Sequence, residues 1–151
     1  MKLPMPSVNF GNILKQQMVK DDRASQIFSY NKVGNITANI SEAPVGAVLE
    51  DGVITDFLVA LGNRGRDDAE TLSIAAVLKK NGTSVLSGEV TLSDSASGEA
   101  GTLSFASVPT FETTAVIRGD LLSLDLTVTR TASPTTEMQN LYTTVKIVPK
   151  T

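Results

Sequence analysis

Apolar and polar residues alternate along most of the chain from about Val33 onward, in short runs separated by clusters of Gly, Asn, Asp and Ser. In the clearest run, residues 122–129, leucine and valine side chains fall on one face of an extended chain and polar side chains fall on the other. A period of two residues predicts a β-strand with one buried and one solvated face. The same pattern predicts strands over residues 36–40, 53–61, 72–78, 113–117 and 141–148, and more weakly over 84–92 and 102–106.

Turn residues separate these runs at the spacing that a compact antiparallel fold requires. Asn81-Gly82 is the favoured pair for a type I′ hairpin turn, because both central residues need a positive φ. Asp51-Gly52 and Gly119-Asp120 mark two further reversals, each directly before a predicted strand. The sequence therefore predicts an all-β fold, an antiparallel and jelly-roll-like β-sandwich of about eight strands. Its predicted core includes Leu72, Ile74, Leu122, Leu124, Leu126 and Val128.

The N-terminal segment, residues 1–34, differs in kind from the rest of the chain. It holds five basic and two acidic residues, a net charge of +3, whereas the remainder holds eight and fourteen, a net charge of −6. Its methionine, aromatic and branched apolar residues make it too apolar for a solvated tail. Phe10, Ile13 and Leu14 have the i, i+3, i+4 spacing of a short amphipathic helix over residues 9–19.

We therefore expect an extended, adhesive N-terminal arm over residues 1–34, followed by a β-sandwich domain over residues 35–151. The arm should be ordered only where a neighbouring subunit or a larger partner adds contacts, because ordering the backbone costs about 1–2 kcal/mol per residue. Apolar anchors and a rim of basic side chains are expected to make these contacts. The predicted interface residues are Phe10, Ile13, Leu14, Lys15, Met18, Lys20, Arg23, Ile27 and Phe28.

The composition argues against catalysis. The chain contains no histidine and no cysteine, so Ser-His and Cys-His nucleophile pairs and imidazole or thiolate metal sites are not available. We expect no enzymatic activity, no catalytic residue, no cofactor and no metal. The acidic run of residues 67–70 lacks the glycine and the alternating spacing of a calcium loop. Arg118-Gly119-Asp120, the tripeptide that integrin ligands display, directly precedes a strand and is expected to form a turn.

Three further features restrict the partners and the compartment. The acidic body disfavours nucleic acid, and no run of about 18 apolar residues predicts a membrane-spanning helix. Pro4 and Pro6 interrupt the apolar stretch that a signal peptide would need. We expect no nucleic-acid partner, no membrane contact and synthesis in the cytoplasm.

Two blocks of the chain resemble the small capsid-surface proteins of tailed bacteriophages. One comprises Ala60-Leu61-Gly62, the loop of residues 63–70, residues 71–74 and the hairpin of residues 80–85; the other is residues 119–137. The resemblance covers about two thirds of the chain. It implies a capsid decoration (cement) protein or a head-fibre domain, non-catalytic and usually multimeric, assembled in the host cytoplasm and carried on the virion. Its implied partners are the outer surface of the major capsid protein shell and further copies of itself.

Several alternatives stay open. A homotrimer would match the local three-fold positions of an icosahedral shell, with a dimer at two-folds as the runner-up. The second function is a head-fibre, tail or receptor-binding β-domain that adheres to host glycan, and the third is a cellular carbohydrate-binding module. Both of these would favour exposed aromatic side chains, of which the body has few candidates: Phe57, Phe105, Phe111 and Tyr142.

Overall fold

The computed structural model describes residues 24–67, 72–94, 104–105, 110–130 and 134–150. These residues form strands, turns and extended connections, and no helix capable of crossing a membrane occurs among them. The strands in chain order are β1 (Gln26–Asn35), β2 (Ile40–Ala47), β3 (Gly52–Asn63), β4 (Ser73–Lys80), β5 (Thr83–Ser84), β6 (Val90–Ser93), β7 (Ser104–Phe105), β8 (Ala115–Val116), β9 (Leu121–Thr129) and β10 (Gln139–Pro149).

The strands form two antiparallel sheets packed face to face. In the first sheet the order is β1-β10-β3, with β7 and β8 pairing along the remaining edge of β3; in the second it is β2-β9-β4, with β5 and β6 pairing along β4. When β5 with β6 and β7 with β8 are counted as two interrupted strands, eight strands remain. Their orders are then first-eighth-third-sixth and second-seventh-fourth-fifth, which is the arrangement of a jelly roll. The predicted antiparallel, jelly-roll-like β-sandwich is confirmed.

The core lies between the two sheets. Five of its predicted members, Leu72, Ile74, Leu122, Leu124 and Leu126, are buried. The sixth, Val128, is half-buried and packs against the margin of the core. On β4 and β9 the buried residues recur at every second position, because successive side chains of a strand point to opposite faces of the sheet.

The sandwich begins earlier in the chain than the sequence indicated. β1 starts at Gln26 and pairs residue by residue with β10 through Lys32. Phe28 and Tyr30 pack against the core. The buried hydroxyl of Thr143 accepts a hydrogen bond from the Tyr30 N–H at 3.2 Å and donates one to its carbonyl oxygen at 2.6 Å. The predicted boundary between residues 34 and 35 is therefore corrected, because residues 26–34 belong to the first sheet.

Several predicted strands also change. Residues 36–39 connect the two sheets, with Ile36 buried and its N–H bonded to the Met138 carbonyl oxygen. The strand that follows, β2, was not predicted. It runs through Pro44 and Gly46, which are tolerated because β2 lies at the edge of its sheet. The strands predicted over 84–92, 102–106 and 113–117 are confined to the short elements β5 to β8.

Both predicted turns with glycine at a positive φ are present. Asn81 and Gly82 have φ values of 50° and 82° between the paired residues Lys80 and Thr83, so the predicted hairpin is confirmed. In the turn before β9, Gly119 has a φ of 93° and the Asp120 N–H donates to the Ile117 carbonyl oxygen.

Candidate functional site

One end of the sandwich exposes four large apolar side chains, on its connecting loops and on the outer faces of both sheets. Leu49 follows β2, Ile117 and Leu121 flank the turn before β9, and Val148 lies near the end of β10. Their exposed fractions are 67%, 62%, 61% and 37%, and together they are four of the seven large apolar residues that the described part of the chain exposes. We call these four residues the apolar end.

Backbone hydrogen bonds bring the four residues to the same end. The Val48 N–H donates to the Asp120 carbonyl oxygen at 2.9 Å, and the Gly119 N–H donates to the Val48 carbonyl oxygen at 2.8 Å. These bonds join the connection after β2 to the turn before β9. The Lys150 N–H donates to the Asp51 carbonyl oxygen at 3.1 Å, which joins the end of β10 to the start of β3.

The first described residues of the chain lie at this same end. The Gln26 side-chain oxygen accepts hydrogen bonds from the N–H groups of Leu49 at 2.8 Å and Glu50 at 3.3 Å, and its amide nitrogen donates to the Glu50 carbonyl oxygen at 3.0 Å. An open groove of about 360 Å³ is lined here by residues 24–28, Leu49 and Glu50. The segment that contains most of the predicted adhesive residues is therefore joined to the sandwich beside the apolar end.

A buried carboxylate supports the apolar end. Asp120 accepts hydrogen bonds from the Ile117 N–H at 2.9 Å and the Asn81 side-chain amide at 2.8 Å. The Asn81 side-chain oxygen in turn accepts one from the Leu121 N–H at 2.9 Å. The hydrogen bond from Ile117, then that from Asn81, and the nearby charge of Lys80 hold the pKa of Asp120 below its usual range, although burial acts in the opposite direction.

This arrangement confirms the interpretation of Arg118-Gly119-Asp120 as a turn. The Asp120 carboxylate is buried against its own chain rather than displayed. The Arg118 N–H also points inward along the turn, since it donates to the Asp51 side chain at 2.9 Å. Both flanking apolar residues, Ile117 and Leu121, are thus held by fixed backbone while their side chains remain exposed.

A second groove, of about 460 Å³, opens on the outer face of the second sheet next to Leu121. None of its lining residues is aromatic: Glu42, Pro44, Gly46, Ala47, Asn81, Gly82, Leu121, Leu122 and Ser123. Two irregularities in the pairing of β2 with β9 shape its wall. At the first, Glu42 has a φ of 51° and its N–H donates to the Asp125 carboxylate at 2.8 Å.

Asp125 also forms an ion pair with Lys79 on the neighbouring strand. The hydrogen bond from Lys79, followed by that from the Glu42 N–H, lowers the pKa of Asp125, and the same contact raises the pKa of Lys79. Since this pair links β4, β9 and the bulge of β2, its role in the described structure is to fix the shape of the strand edge.

The predicted interface residues are only partly described. Seven of them stay predictions because they lie outside the described residues: Phe10, Ile13, Leu14, Lys15, Met18, Lys20 and Arg23. Ile27 is 58% exposed, on the outer face of β1. Phe28 is half-buried: its ring packs against the core and occupies the space that a side chain at Gly46 would need, and it also lines the groove beside Leu49, so its contact with a partner stays a prediction.

Sequence reasoning missed Leu49, Ile117 and Leu121, although each stands within two residues of a Gly-Asp or Asp-Gly turn. Apolar residues directly beside turn residues were the available signal. Among the described residues no group of three or more acidic side chains could hold a metal ion, and Asp68 and Glu70 of the acidic loop lie outside them. No protein-family model and no curated protein matches the chain.

Proposed function

We propose that this protein is a non-catalytic capsid decoration (cement) protein of a tailed bacteriophage, which binds the outer surface of the assembled major capsid protein shell and stabilises it. The observation that carries the proposal is the apolar end, whose four exposed side chains lie at the end of the sandwich where the N-terminal segment joins it, Leu49 directly beside that junction. A cement protein needs adhesive surface beyond its own core, and this end supplies it next to the segment predicted to be adhesive.

The strength of this surface fits a repeated attachment. A fully buried Leu, Ile or Val side chain contributes about 1.5–3 kcal/mol. Scaled by their exposed fractions of 37–67%, the four side chains together could contribute about 3–7 kcal/mol. The loss of translational and rotational freedom on association costs about 4–15 kcal/mol, so the apolar end alone binds weakly. Occupancy on a shell would come from added contacts of the N-terminal segment and from multivalency.

The distribution of charge along the chain also supports attachment through the apolar end. Residues 1–23 carry four basic and two acidic residues, whereas the chain as a whole has a net charge of −3. A basic segment at the attachment end and an acidic remainder of the chain are a sensible division for a surface protein. The jelly roll is shared by viral capsid proteins and by lectins, so the fold agrees with the proposal and does not by itself select it.

The test is co-sedimentation of the purified chain with empty capsids of the same virus. The double variant Leu49→Lys with Leu121→Lys should weaken binding at least tenfold, because two exposed apolar contacts become charged. Tyr142→Lys is the matched control, since Tyr142 is 46% exposed near the opposite end of the strands. Wild-type chain that ignores capsids and instead binds host cells or glycans would overturn the proposal in favour of the receptor-binding alternative.

A further inference from the structure

The two edge strands on one side of the sandwich, β1 and β2, differ in how they are protected. β2 contains Pro44, a residue with positive φ at Glu42, and two irregularities in its pairing. Proline and bulges are features by which natural proteins prevent an edge strand from pairing with another chain. β1 has no proline and pairs without irregularity from Gln26 to Lys32; its one irregularity lies near its end, between Lys32 and Asn35, where Gly34 has a φ of 90°. Of the two edges, β1 is the one suited to accept another strand.

The backbone groups available on β1 can be assigned. The N–H and carbonyl oxygen of Tyr30 face β10, because both are bonded to the Thr143 hydroxyl. Successive residues of a strand direct these groups to opposite edges. The groups of Ile27, Ser29 and Asn31 therefore point away from β10. Those of Val33 do so too, although β1 pairs irregularly between Lys32 and Asn35, because the N–H of the next residue, Gly34, faces β10 and donates to the Asn140 side chain at 2.9 Å. On that side β1 has no neighbouring strand within the described part of the chain.

We propose that β1 pairs antiparallel with β1 of a second copy of this chain, about a two-fold axis at Tyr30. The choice of register comes from the exposed side chains. Ile27 and Val33 are 58% and 88% exposed, and Ser29 and Asn31, which lie between them, are exposed and polar. An axis at Tyr30 sets Ile27 opposite Val33 and Ser29 opposite Asn31, so that apolar side chains face apolar ones and polar side chains face polar ones.

Neighbouring registers lack this match. An axis at Ser29 would set Ile27 opposite Asn31, and an axis at Asn31 would set Ser29 opposite Val33. Cross-strand pairs of compatible side chains stabilise an antiparallel pair of strands. In an isologous interface every pair occurs twice. The register about Tyr30 therefore contains two apolar pairs, each of Ile27 with Val33, and two polar pairs, each of Ser29 with Asn31.

Charge complementarity points to the same partner. Lys32 lies on the inward-facing side of β1, near its C-terminal end, and Glu50 lies beside the N-terminal end, where Gln26 binds its backbone. In the antiparallel dimer, the C-terminal end of β1 in each copy lies beside the N-terminal end of β1 in the other copy. Lys32 of one copy therefore lies toward Glu50 of the other, and the two opposite charges attract. The same register sets the two Tyr30 residues directly opposite each other, as an aromatic cross-strand pair.

The interface would be modest in size. The four outward residues of each copy allow about eight backbone hydrogen bonds across the axis. A single pair of strand edges buries less than the roughly 800 Å² per partner of a standard stable interface. We therefore expect a dimer that forms in the micromolar range rather than an obligate one.

The dimer has a consequence that rests on the proposed function. Antiparallel pairing points the two apolar ends in opposite directions along the strands. A dimer whose axis coincides with a two-fold axis of the shell would then contact two neighbouring capsomers, one with each end. This arrangement favours the dimer over the trimer that was the first expectation from the sequence.

The register can be tested by disulfide formation, because the natural chain contains no cysteine. Directly opposed residues in a hydrogen-bonded antiparallel pair have Cα atoms about 5.5 Å apart, within disulfide range. A mixture of Ser29→Cys and Asn31→Cys chains should give an oxidised heterodimer. Either variant alone should cross-link no faster than Thr83→Cys, the collisional control at the tip of the exposed hairpin. Ser29→Cys or Asn31→Cys chains that cross-link as fast alone as in the mixture would overturn the register.

The interface itself can be tested by sedimentation equilibrium of the purified full chain. Ser29→Pro removes an outward N–H and no bond to β10, so it should raise the dimer dissociation constant at least tenfold without unfolding the chain. Ser29→Ala keeps the N–H and loses only the side-chain part of the pair with Asn31, so it should raise the constant much less than Ser29→Pro does. Wild-type chain that stays monomeric at high micromolar concentration would overturn the proposal. Since no capsid is present, these results are independent of whether the protein decorates one.

Discussion

Replacing Asp120 with alanine should destabilise the protein and loosen the apolar end. The carboxylate is buried and accepts two hydrogen bonds, from the Ile117 N–H at 2.9 Å and the Asn81 amide at 2.8 Å. A hydrogen bond to a charged group contributes about 1.5–3 kcal/mol to stability. The two bonds share one acceptor and are not additive, so we expect Asp120→Ala to lower the free energy of unfolding by about 2–4 kcal/mol.

The measurement is urea denaturation at neutral pH, with Asn81→Gly as the partner variant. Glycine keeps the positive φ that position 81 requires and removes the amide that binds Asp120. In the double-mutant cycle the two sites should be coupled by about 1–2 kcal/mol, because they share a bond. A loss below about 0.5 kcal/mol for Asp120→Ala, or additive effects of the two substitutions, would refute the argument that this carboxylate holds the turn.

Three further predictions follow from the described contacts. Leu124→Ala should cost about 2–5 kcal/mol in chemical denaturation, because Leu124 is fully buried between the sheets; a change below about 0.5 kcal/mol would contradict its core position. Removal of residues 1–23 should leave the melting temperature within a few degrees of the wild-type value. Removal of residues 1–34 deletes β1 with Phe28 and Tyr30 and should lower the free energy of unfolding by more than about 4 kcal/mol. Equal stability of the two truncated chains would support the boundary between residues 34 and 35 that the sequence predicted. The pKa of Asp120 is lower in the folded than in the unfolded chain, so its carboxylate stabilises the fold above the unfolded pKa of about 3.9, and this stabilisation is lost as pH falls through the folded pKa. Between neutral pH and acid below about pH 4, the free energy of unfolding of Asp120→Asn should therefore fall less than that of the wild type. Curves of unfolding free energy against pH that run parallel for the two proteins would contradict the lowered pKa.

The centre of the fold could be predicted from the sequence. β3, β4, β9 and β10 lie inside their sheets and bury one face, and in β4, β9 and β10 the period of two is clear in the residues. The hairpin at Asn81-Gly82 could be predicted for a local reason, since its backbone conformation depends on two residues alone. These features need no knowledge of distant parts of the chain.

The edge strands could not be predicted in the same way. β1 is half-buried on its inner face and exposed on the other, and both faces carry apolar residues, so its alternation is weak. β2 contains Pro44 and Gly46, which indicate a turn unless the strand is known to lie at an edge. Whether a strand is at an edge depends on the pairing of residues far apart in the chain, as with Tyr30 and Thr143.

The parts that were hardest to predict are the parts on which the functional proposals depend, and there is a physical reason for this. Binding surface must be left outside the core, so it lies on edge strands and beside turns, where the burial pattern that identifies a strand is incomplete. Leu49 and Leu121 are apolar residues that the fold leaves uncovered, and a sequence pattern alone assigns such residues to the core. The two edge strands β1 and β2 differ in how much of their length is protected. An edge that needed only to stay soluble would be expected to carry a proline and bulges along its length, as β2 does; β1 has no proline and is regular from Gln26 to Lys32, with one irregularity near its end, between Lys32 and Asn35. A long regular segment of edge with exposed Ile27, at the junction with an apolar N-terminal segment, is better explained by a strand partner than by chance.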